Sequence, residues 1–411
     1  VKLAIYTSCS INYLPKARAL AESVRRYHPT AELTLCFNDI VPASIDLDDE
    51  PFHQVWTPQD LGYGPAWIFK HNVMELCTAV KGRALLRLLS ENDADFYIYL
   101  DPDVYLFHDF NPISDYMSDA SIGLTPHILS PEQSDVGVRL TEMSVTEHGI
   151  YNLGHLIVRK DDNAKAFAAW WAERLDQYCY DDRERGLFTD QRWVDLAPSI
   201  FDGVKILRVA NLNVASWNLF GRQIKQMESA SGPRFEVNGL PLITYHFSGT
   251  GPTGTHQRVR GMFDSGNGAT AEIERIYESA IAAQGQDTFA AVSSGYDRFD
   301  DGTRVSAEAR KLYRRHADLE RAFANPYATD TQGLSFVGWL RSKKPHAVDG
   351  IHIDQRRYGA AFADLFDENF YLSKYPEAKE CIERGQFLSA EDHYCSIGSS
   401  LLMDPNEFFV S

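Results

Sequence analysis

The chain has 411 residues, a formal net charge of −17 and a pI near 5.2. This acidic balance argues against nucleic acid as a general partner, because contacts to a phosphate backbone need a basic surface. Its apolar content of 44% is typical of a globular protein, and its length predicts two or three domains. The apolar runs are too short to cross a bilayer, so no transmembrane segment is expected.

The cysteine pattern and the start of the chain favour a cytoplasmic location. Residues 1–18 lack the charged, apolar and small-residue pattern of a secretion leader. The cysteines show no Cys-x-x-Cys pair and no zinc spacing, which predicts reduced thiols; they are Cys9, Cys36, Cys77, Cys179, Cys381 and Cys395. The basic stretch 338–344, with Trp339, is a candidate for peripheral contact with an inner membrane, although such clusters are usually solvated surface.

The first elements predict a parallel α/β sheet. Residues 3–7 and 33–37 are short apolar runs typical of buried strands. Between them, Ala17, Leu20 and Val24 recur at helical spacing. In such sheets ligands gather where the strands end, so residues 6–13 are expected to line that edge.

A helix is predicted over residues 65–89. Glu75, Thr78 and Lys81 are spaced by three within it, which would put them on one face just before the next strand. The alternative is a solvated polar stripe.

The most informative motif is the apolar run 96–107, which carries Asp101 and Asp103 one residue apart. A strand buried on both faces cannot hold unpaired charge, so we expect both acids at its end. Two carboxylates at this spacing suit Mg²⁺ or Mn²⁺ bridging to a diphosphate, which points to nucleotide-sugar chemistry. The alternative is an Asp-Pro turn with solvated acids.

Further strands are expected at residues 121–127, 151–158 and 242–247, and a Trp-containing helix at 164–178. The strand 242–247 leads into Ser248-Gly249-Thr250-Gly251, a loop in which backbone can approach a phosphate closely. Composition changes near residues 265–268, after which helices are expected at 271–284 and 306–324. We therefore predict three regions, at residues 1–264, 265–345 and 346–411.

Four motifs occur in the order found in one enzyme family. They are Leu-Asp-x-Asp at residues 100–103, Asn-x-Gly at 152–154, Asp-Gln at 190–191 and His-Phe-x-Gly at 246–249. With this pattern the chain resembles retaining glycosyltransferases of family 8, which have the GT-A fold. It also resembles bacterial surface-polysaccharide transferases, through residues 75–81, Trp217-Asn218, the pattern at 296–302 and the unit at 366–404.

The resemblance implies a Rossmann-like GT-A domain followed by a helical C-terminal region. It implies transfer of a hexose-type sugar from a nucleoside diphosphate sugar, expected to be a UDP-sugar. The acceptor would be a glycan or lipid-linked glycan in O-antigen, capsule or exopolysaccharide synthesis. Asp101, Asp103 and His246 would hold the cation, and the imidazole favours Mn²⁺ over Mg²⁺. A lone His is otherwise usually a satisfied core residue.

The same resemblance suggests roles for other residues. Asp190 would hold donor hydroxyls and the Gln191 carbonyl would stabilise charge at the anomeric carbon, with a helix N-cap as the alternative reading of this pair. The remaining donor-site candidates are Glu75, Thr78, Lys81, Asn152 and Gly249, together with Tyr6, Thr7 and Asn12 for the base and ribose. Those suggested for the acceptor side are His127, Trp217 and Asn218.

Two departures from the family pattern bear on the diphosphate. Family 8 enzymes usually continue the late motif to Lys-Pro-Trp, whereas residues 248–253 contain no Lys; Lys81, Arg258 and Arg260 are candidate replacements. Lys81-Gly82-Arg83 replaces the usual Lys-Pro-Phe of the closer group.

Two alternatives to a transferase are considered. A nucleotidylyltransferase would need a glycine-rich basic loop after the first strand, which residues 8–13 do not supply. A carbohydrate-binding or scaffold protein would not need the acidic motifs to be intact.

Overall fold

The computed structural model describes residues 1–229, 232–250, 261, 268–329, 335–343, 366–398 and 403. The chain forms two compact units. The first comprises Val1–Gly62 and Met74–Ser294, and the second comprises Tyr63–Val73 and Gly295–Ser411. The first unit includes a helix C-terminal to residue 264; the expected boundaries at 264 and 345 stay predictions.

The strands of the described residues are β1 Leu3–Cys9, β2 Glu32–Phe37, β3 Gln54–Trp56, β4 Phe96–Leu100, β5 Val104–Leu106, β6 Ile122–Pro126, β7 Tyr151–Arg159, β8 Asp181–Asp182, β9 Leu187–Phe188, β10 Val204–Ile206, β11 Val214–Ala215, β12 Ile224–Met227, β13 Arg234–Val237, β14 Leu240–Pro241 and β15 Thr244–His246.

The α-helices are α1 Leu14–Tyr27, α2 Pro65–Phe69, α3 Val73–Ala79, α4 Lys81–Glu91, α5 Ile113–Tyr116, α6 Asp135–Leu140, α7 Glu142–His148, α8 Asp162–Tyr178, α9 Gln191–Val194, α10 Ala197–Ile200, α11 Ala269–Ala283, α12 Gln286–Phe289, α13 Ala307–Arg315, α14 Ala317–Ala322, α15 Phe336–Lys343, α16 Glu368–Lys374, α17 Pro376–Glu383 and α18 Ala390–His393.

A seven-stranded sheet forms the centre of the first unit, in the order β10-β6-β7-β4-β1-β2-β3. Neighbouring strands are parallel except that β7 is antiparallel to both β4 and β6. The predicted α/β class is therefore confirmed, and the expectation of a parallel sheet is correct for β1 to β4 but not for β7. Mixed sheets of this kind are common in α/β proteins.

Helices cover the central strands, which explains why β1 and β4 are buried along their whole length. Leu20 and Val24 of α1 pack in one core with Ile5 of β1. Tyr6 points to the opposite face, because side chains alternate along a strand, and its hydroxyl donates to the Lys81 carbonyl at 3.4 Å. The start of α4 therefore lies on the face opposite α1.

A second sheet, in the order β11-β15-β5, brings the His-Phe-x-Gly motif next to the acidic motif. In it β15 is antiparallel to β5, with His246 opposite Val104. Helix α11 packs into the same core, where the Tyr277 ring stacks on Phe247 at 3.8 Å between centroids. The sequence-predicted helix 271–284 is thus confirmed as α11.

Two expected helices are interrupted in the structure. The single helix predicted over 65–89 is wrong: it is replaced by α2, α3 and α4. At the end of α2 the backbone hydrogen bonds join residues three apart instead of four. The Lys70 amide donates to Trp67 O and the His71 amide donates to Ile68 O, and the α-helix ends there. The helix predicted over 306–324 is likewise two helices, which meet at His316.

The second unit, as far as it is described, is helical around aromatic residues. One aromatic cluster is centred on Phe69, whose ring contacts those of Phe299, Tyr313, Tyr327 and Phe336. A further cluster contains Tyr371, Ala378, Ala390, Tyr394 and Met403. Helices C-terminal to the first unit are therefore confirmed, although much of the expected 346–411 module lies outside the described residues.

Two compositional expectations can be compared with the structure. The cysteines whose side chains the structure describes are free thiols, and they are Cys9, Cys36, Cys77, Cys179 and Cys381. Among the described residues, no helix combines the length and the apolarity that a membrane crossing requires. In the basic stretch 338–344, Trp339 is buried and Arg341 bonds to Asp301 and Thr303 at 3.1 Å, so these two side chains are engaged within the unit.

Candidate active site

The two aspartates lie in a tight turn between β4 and β5. The Val104 amide donates to the Asp101 carbonyl at 3.0 Å, which closes the turn. The Asp101 amide donates to Gly154 O of β7 at 2.9 Å, and Asp103 O accepts from the Phe247 amide at 2.8 Å. Because three strands fix this turn through backbone bonds, the two carboxylates are held without relying on loop packing.

His246 completes a cluster with these carboxylates. Its Nε2 lies 3.1 Å from Asp103 Oδ1 and 3.8 Å from Asp101 Oδ2. One ligand atom from each of the three residues can be chosen so that all lie within 4.8 Å of one another. The structure therefore brings together the three residues expected to bind a metal.

Asn213 fixes the orientation of the His246 ring. The Asn213 Oδ1 lies 3.2 Å from His246 Nδ1, and Asn213 Nδ2 donates to Asn152 Oδ1 at 3.1 Å. Since an amide oxygen only accepts, this network assigns the proton to Nδ1. The other ring nitrogen, Nε2, then faces the carboxylates and is the one that a cation would bind in place of a proton.

The charges in the cluster stabilise one another. Burial alone would raise the pKa of Asp103, but His246 and Lys16 outweigh it and lower that pKa to about 2. Burial likewise lowers the pKa of His246, and Asp103 and Asp101 outweigh it so that the net shift is upward. In the absence of a cation, the cluster thus favours an ionised carboxylate beside a protonated imidazole.

Gly154 allows the ligands to approach each other. A Cβ at this position would lie 2.5 Å from His246 Cε1 and 2.6 Å from Asp101 Oδ2, closer than real Cβ contacts. The Asn-x-Gly motif thus contributes steric room as well as an amide.

The donor set fits a divalent cation. It contains two carboxylates and one imidazole whose free nitrogen is oriented by a second residue, an arrangement that suits Mn²⁺ and also accommodates Mg²⁺ through its oxygens.

Lys81 links this cluster to Asp190. Its Nζ is 2.9 Å from Asp190 Oδ2 and 3.2 Å from Asp101 Oδ1, and it also donates to Leu153 O at 3.2 Å. Burial lowers the pKa of Lys81, but the two carboxylates outweigh it and raise the pKa overall. Burial raises the pKa of Asp190, and Lys81 opposes that rise without cancelling it.

Asp190 and Gln191 are held by side chains and backbone around β7. Asp190 occupies the N-cap position of α9, as the alternative reading expects, but its side chain makes no capping bond to that helix. Its other oxygen accepts from Thr189 Oγ1 at 3.0 Å, and Thr189 has a φ of 44°, a strained value for a β-branched residue. Gln191 Oε1 accepts from the Leu153 amide at 3.0 Å, and Gln191 Nε2 donates to His148 O at 3.2 Å.

The three residues proposed for a base and ribose lie in different environments. Tyr6 is buried with its ring edge against Tyr99 at 5.0 Å, which agrees with the core alternative. Thr7 is buried, and its Oγ1 has no hydrogen-bond partner in the described part of the chain. Asn12 is half-buried and accepts from Ser10 Oγ at 2.6 Å.

Glu75 and Thr78 contact a segment different from the one that Lys81 contacts. Glu75 Oε1 accepts from the Asp181 amide at 2.9 Å, and Thr78 Oγ1 lies 3.3 Å from Cys179 Sγ. Gly249 follows β15 with a φ of 74°, a conformation that glycine adopts without strain. The candidates Arg258 and Arg260 lie outside the described residues.

The residues proposed for the acceptor side lie next to His246. The Trp217 ring is 5.2 Å from the His246 ring and 6.1 Å from His127, measured between centroids. Trp217 Nε1 is buried and has no partner among the described residues. Asn218 Nδ2 donates to Asn213 O at 3.0 Å and His127 O at 3.2 Å, so it braces the segment that orients His246.

Sequence reasoning missed Asn213 and Lys16. Asn213 carries no motif signal, since its role depends on contacts with β7 and β15. Lys16 did carry a signal: it lies four residues before Leu20, in the apolar stripe of α1, where a lysine is unexpected.

No protein-family model matches the chain. It is 31% identical over 180 residues to the uncharacterized protein YfnD of Bacillus subtilis (strain 168). That match covers 43% of this chain and 53% of YfnD, so the chain spans about half the length of the curated relative it matches.

Among solved structures, the chain is similar to the galactosyltransferase LgtC in complex with donor and acceptor sugar analogues. That match has 16% identity and a TM-score of 0.40, covering 69% of this chain and 96% of that one. The glycosyltransferase GlyE of Streptococcus pneumoniae TIGR4 matches with 11% identity and a TM-score of 0.37, covering 68% of this chain and 64% of that one. A glycosyltransferase involved in glycosylation of the major capsid of PBCV-1 matches with 10% identity and a TM-score of 0.35, covering 64% and 100%. These structural neighbours are glycosyltransferases.

Proposed function

We propose that the chain is a metal-dependent glycosyltransferase that uses a nucleoside diphosphate sugar as donor. One observation carries the proposal: Asp101, Asp103 and His246 converge where β4 ends, with an oriented imidazole nitrogen. The carboxyl ends of strands in an open α/β sheet are where ligands usually bind. Neither a helix cap nor a solvated turn requires such a cluster.

A cation bound by these ligands would supply Lewis-acid stabilisation of the negative charge that develops on a departing diphosphate. The chain's own residues do the positioning. Asn213 holds a proton on His246 Nδ1 and so leaves Nε2 as the ring nitrogen that a cation would bind in place of a proton, and the backbone bonds of the turn keep Asp101 and Asp103 in place. Lys81 keeps Asp190 close to the cluster, because one ammonium bonds to both Asp190 and Asp101.

Asp190 and Gln191 are proposed to face the donor sugar. One ammonium, that of Lys81, bonds to both Asp190 and Asp101, so Asp190 lies beside the residues that would hold the cation and the donor's diphosphate. Gln191 has a fixed amide, because both ends of its side chain are bonded. A fixed dipole of this kind can stabilise positive charge at an anomeric carbon without reorganising during the reaction.

The finer parts of the proposal rest on the resemblance of the four motifs to family 8. They are UDP as the nucleotide, retention of anomeric configuration, Mn²⁺ as the preferred ion and Asn152 with Gly249 as donor contacts. The acceptor, a bacterial surface glycan, rests on the resemblance to surface-polysaccharide transferases. The three-region organisation and a cytoplasmic or inner-membrane-peripheral location belong to the same proposal.

The test is release of UDP from UDP-glucose, UDP-galactose and UDP-N-acetylglucosamine, measured with Mn²⁺ and with EDTA, in the absence and presence of candidate glycan acceptors. We expect one donor to be consumed only with the metal, and consumption to fall at least 100-fold in Asp103→Asn. The variant removes one ligand charge while keeping the side-chain shape. Turnover unaffected by EDTA, or an Asp103→Asn enzyme as active as wild type, would contradict the proposal.

A further inference from the structure

Lys16 is a buried cation near the candidate metal cluster. It lies in the first turn of α1, a helix of 14 residues, and its side chain is 3% exposed. A lysine is rarely buried to this degree unless its ammonium is paired, because removing the charge from water is costly. Its position therefore needs an explanation.

Within the described part of the chain, the Lys16 ammonium has no hydrogen-bond or ion-pair partner. Its one described contact is the face of the Tyr13 ring, with Nζ 3.9 Å from the centroid. A cation–π contact offsets part of the desolvation but leaves the three N–H donors unused. The ammonium is thus available to an anion.

The Lys16 charge acts on the metal cluster. Burial lowers the pKa of Lys16, whereas the charge of Asp103 opposes that shift. The same carboxylate is the main cause that raises the pKa of Tyr13, the residue over which Lys16 lies. Tyr13, Lys16 and Asp103 therefore lie in one electrostatic environment, with α1 packed against β5 through the Leu106 amide, which donates to Ser23 Oγ at 3.2 Å.

The other described candidate for the diphosphate is already engaged. Lys81 bonds to two carboxylates and a carbonyl, so a phosphate could recruit it only by breaking the contact to Asp190 or Asp101. The first turn of α1 also adds the positive end of a helix dipole close to Lys16, which favours an anion there.

We propose that the Lys16 ammonium binds a phosphate oxygen of the nucleoside diphosphate, beside Asp103. This inference rests on the proposed function, and it assigns to α1 the cation that residues 248–253 lack. The phosphate would accept from the unused N–H donors, and Lys16 would stabilise the charge of the leaving diphosphate together with the metal site.

The experiment compares binding of UDP and of uridine in the presence of Mn²⁺, with calorimetry for UDP and a ligand-observed NMR titration for uridine. The variants are Lys16→Met and Lys16→Gln; the control is Lys165→Met, which removes the same charge from a half-exposed lysine of α8. We expect both Lys16 variants to bind UDP about 10- to 100-fold more weakly, because that is the effect of losing one charge-assisted hydrogen bond. Uridine binding should be unchanged, and the control should match wild type for both ligands.

Two results would overturn the inference while leaving the proposed function intact. One is UDP binding by both Lys16 variants at wild-type affinity. The other is an equal loss of UDP and uridine binding, which would show that Lys16 acts on structure. If wild type binds neither UDP, GDP nor ADP in the presence of Mn²⁺, the proposed function itself fails, and the inference fails with it. Lys16→Gln keeps a polar group at the site should Lys16→Met fold poorly.

Discussion

At the scale of single residues, the candidate site depends on steric room as much as on ligand identity. Gly154 carries no ligand atom, yet the His246 ring and the Asp101 carboxylate occupy the space beside its Cα. Lys81 has the complementary role, because its charge compensates the Asp190 carboxylate, and both side chains are buried. Substitutions of Gly154 and of Lys81 therefore test the geometry and the charge balance of the site without changing any of the three metal ligands.

Gly154→Ala is expected to weaken Mn²⁺ binding at least tenfold while keeping all three ligands. The new methyl would need to displace His246 Cε1 or Asp101 Oδ2, and metal sites tolerate little displacement of their ligands. The measurement is a Mn²⁺ titration followed by electron paramagnetic resonance of the free ion. Gly64→Ala is the control, since a Cβ there meets nothing within 4 Å. Wild-type affinity in Gly154→Ala would show that the cluster does not bind the ion.

Lys81→Met is expected to destabilise the protein by about 3–5 kcal/mol, because it leaves the Asp190 carboxylate buried without its partner. Adding Asp190→Asn should recover most of that loss, since the uncompensated charge is then gone. Urea unfolding of the single variants and of the double variant at pH 7 measures the coupling. Additive losses in the double variant would mean that the pair is not the source of the stability.

The ligand cluster could be predicted from the sequence, but its supporting residues could not. Asp101, Asp103 and His246 carry a signal because charged groups at the ends of apolar strands need compensation. Asn213 acts through a contact 33 residues away in sequence, with His246 Nδ1, and no local pattern encodes that pairing. Lys16 lies in the apolar stripe that predicts α1, and a single lysine in such a stripe does not by itself show which groups it faces.

At the scale of elements, α4 and α8 approach closely at Gly82. A Cβ on Gly82 would lie 2.7 Å from Ala172 Cα and 2.8 Å from Ala172 N. This contact is with backbone, so a rotamer change cannot relieve it. It also fixes the start of α4, where Lys81 enters the site.

Gly82→Ala is therefore expected to destabilise the protein by about 1–3 kcal/mol, as overpacking does. In an open helix position the same change would stabilise by roughly 1 kcal/mol through helix propensity, so the sign is diagnostic. Chemical denaturation of wild type and variant gives the difference, with Gly64→Ala again as the control. A stabilised Gly82→Ala protein would contradict the close packing of α4 on α8.

The boundaries of strands and helices are the part of the fold that the sequence patterns predict least well. The run 96–107 is one apolar segment in sequence, but tertiary structure divides it into β4 of the central sheet and β5 of the second sheet. The predicted helix over 65–89 failed for a similar reason. Its apolar spacing continues, but α2 ends where Phe69 enters the aromatic cluster of the second unit, a contact formed with residues more than 200 positions later.

At the scale of the whole molecule, buried histidines predict sensitivity to acid. His155 lies in β7, and its pKa is lowered to about 3. Burial is the main cause, and the nearby charge of His246 adds to it. The unfolded chain binds a proton at His155 near pH 6.5, whereas the folded chain resists it. The stability contributed by neutral His155 is therefore complete above pH 6.5 and is lost progressively as the pH falls from 6.5 towards 3.

We expect the free energy of unfolding to fall by about 1.3 kcal/mol between pH 7 and 5.5 on account of His155 alone. His155→Gln should lose less stability than wild type over that interval, by the same amount, because glutamine does not titrate. Urea unfolding at the two pH values measures both slopes, and the comparison at pH 7 controls for any packing change. Equal slopes in the two proteins would contradict the burial of a neutral His155.

The central claim is that Asp101, Asp103 and His246 hold the divalent cation of a nucleotide-sugar enzyme. The most direct measurement is an anomalous difference map at the manganese edge, from crystals grown with Mn²⁺ and UDP. A peak within coordination distance of all three side chains, with the diphosphate next to it, is the predicted result. A manganese peak elsewhere, or nucleotide bound with no metal at these residues, would contradict the account.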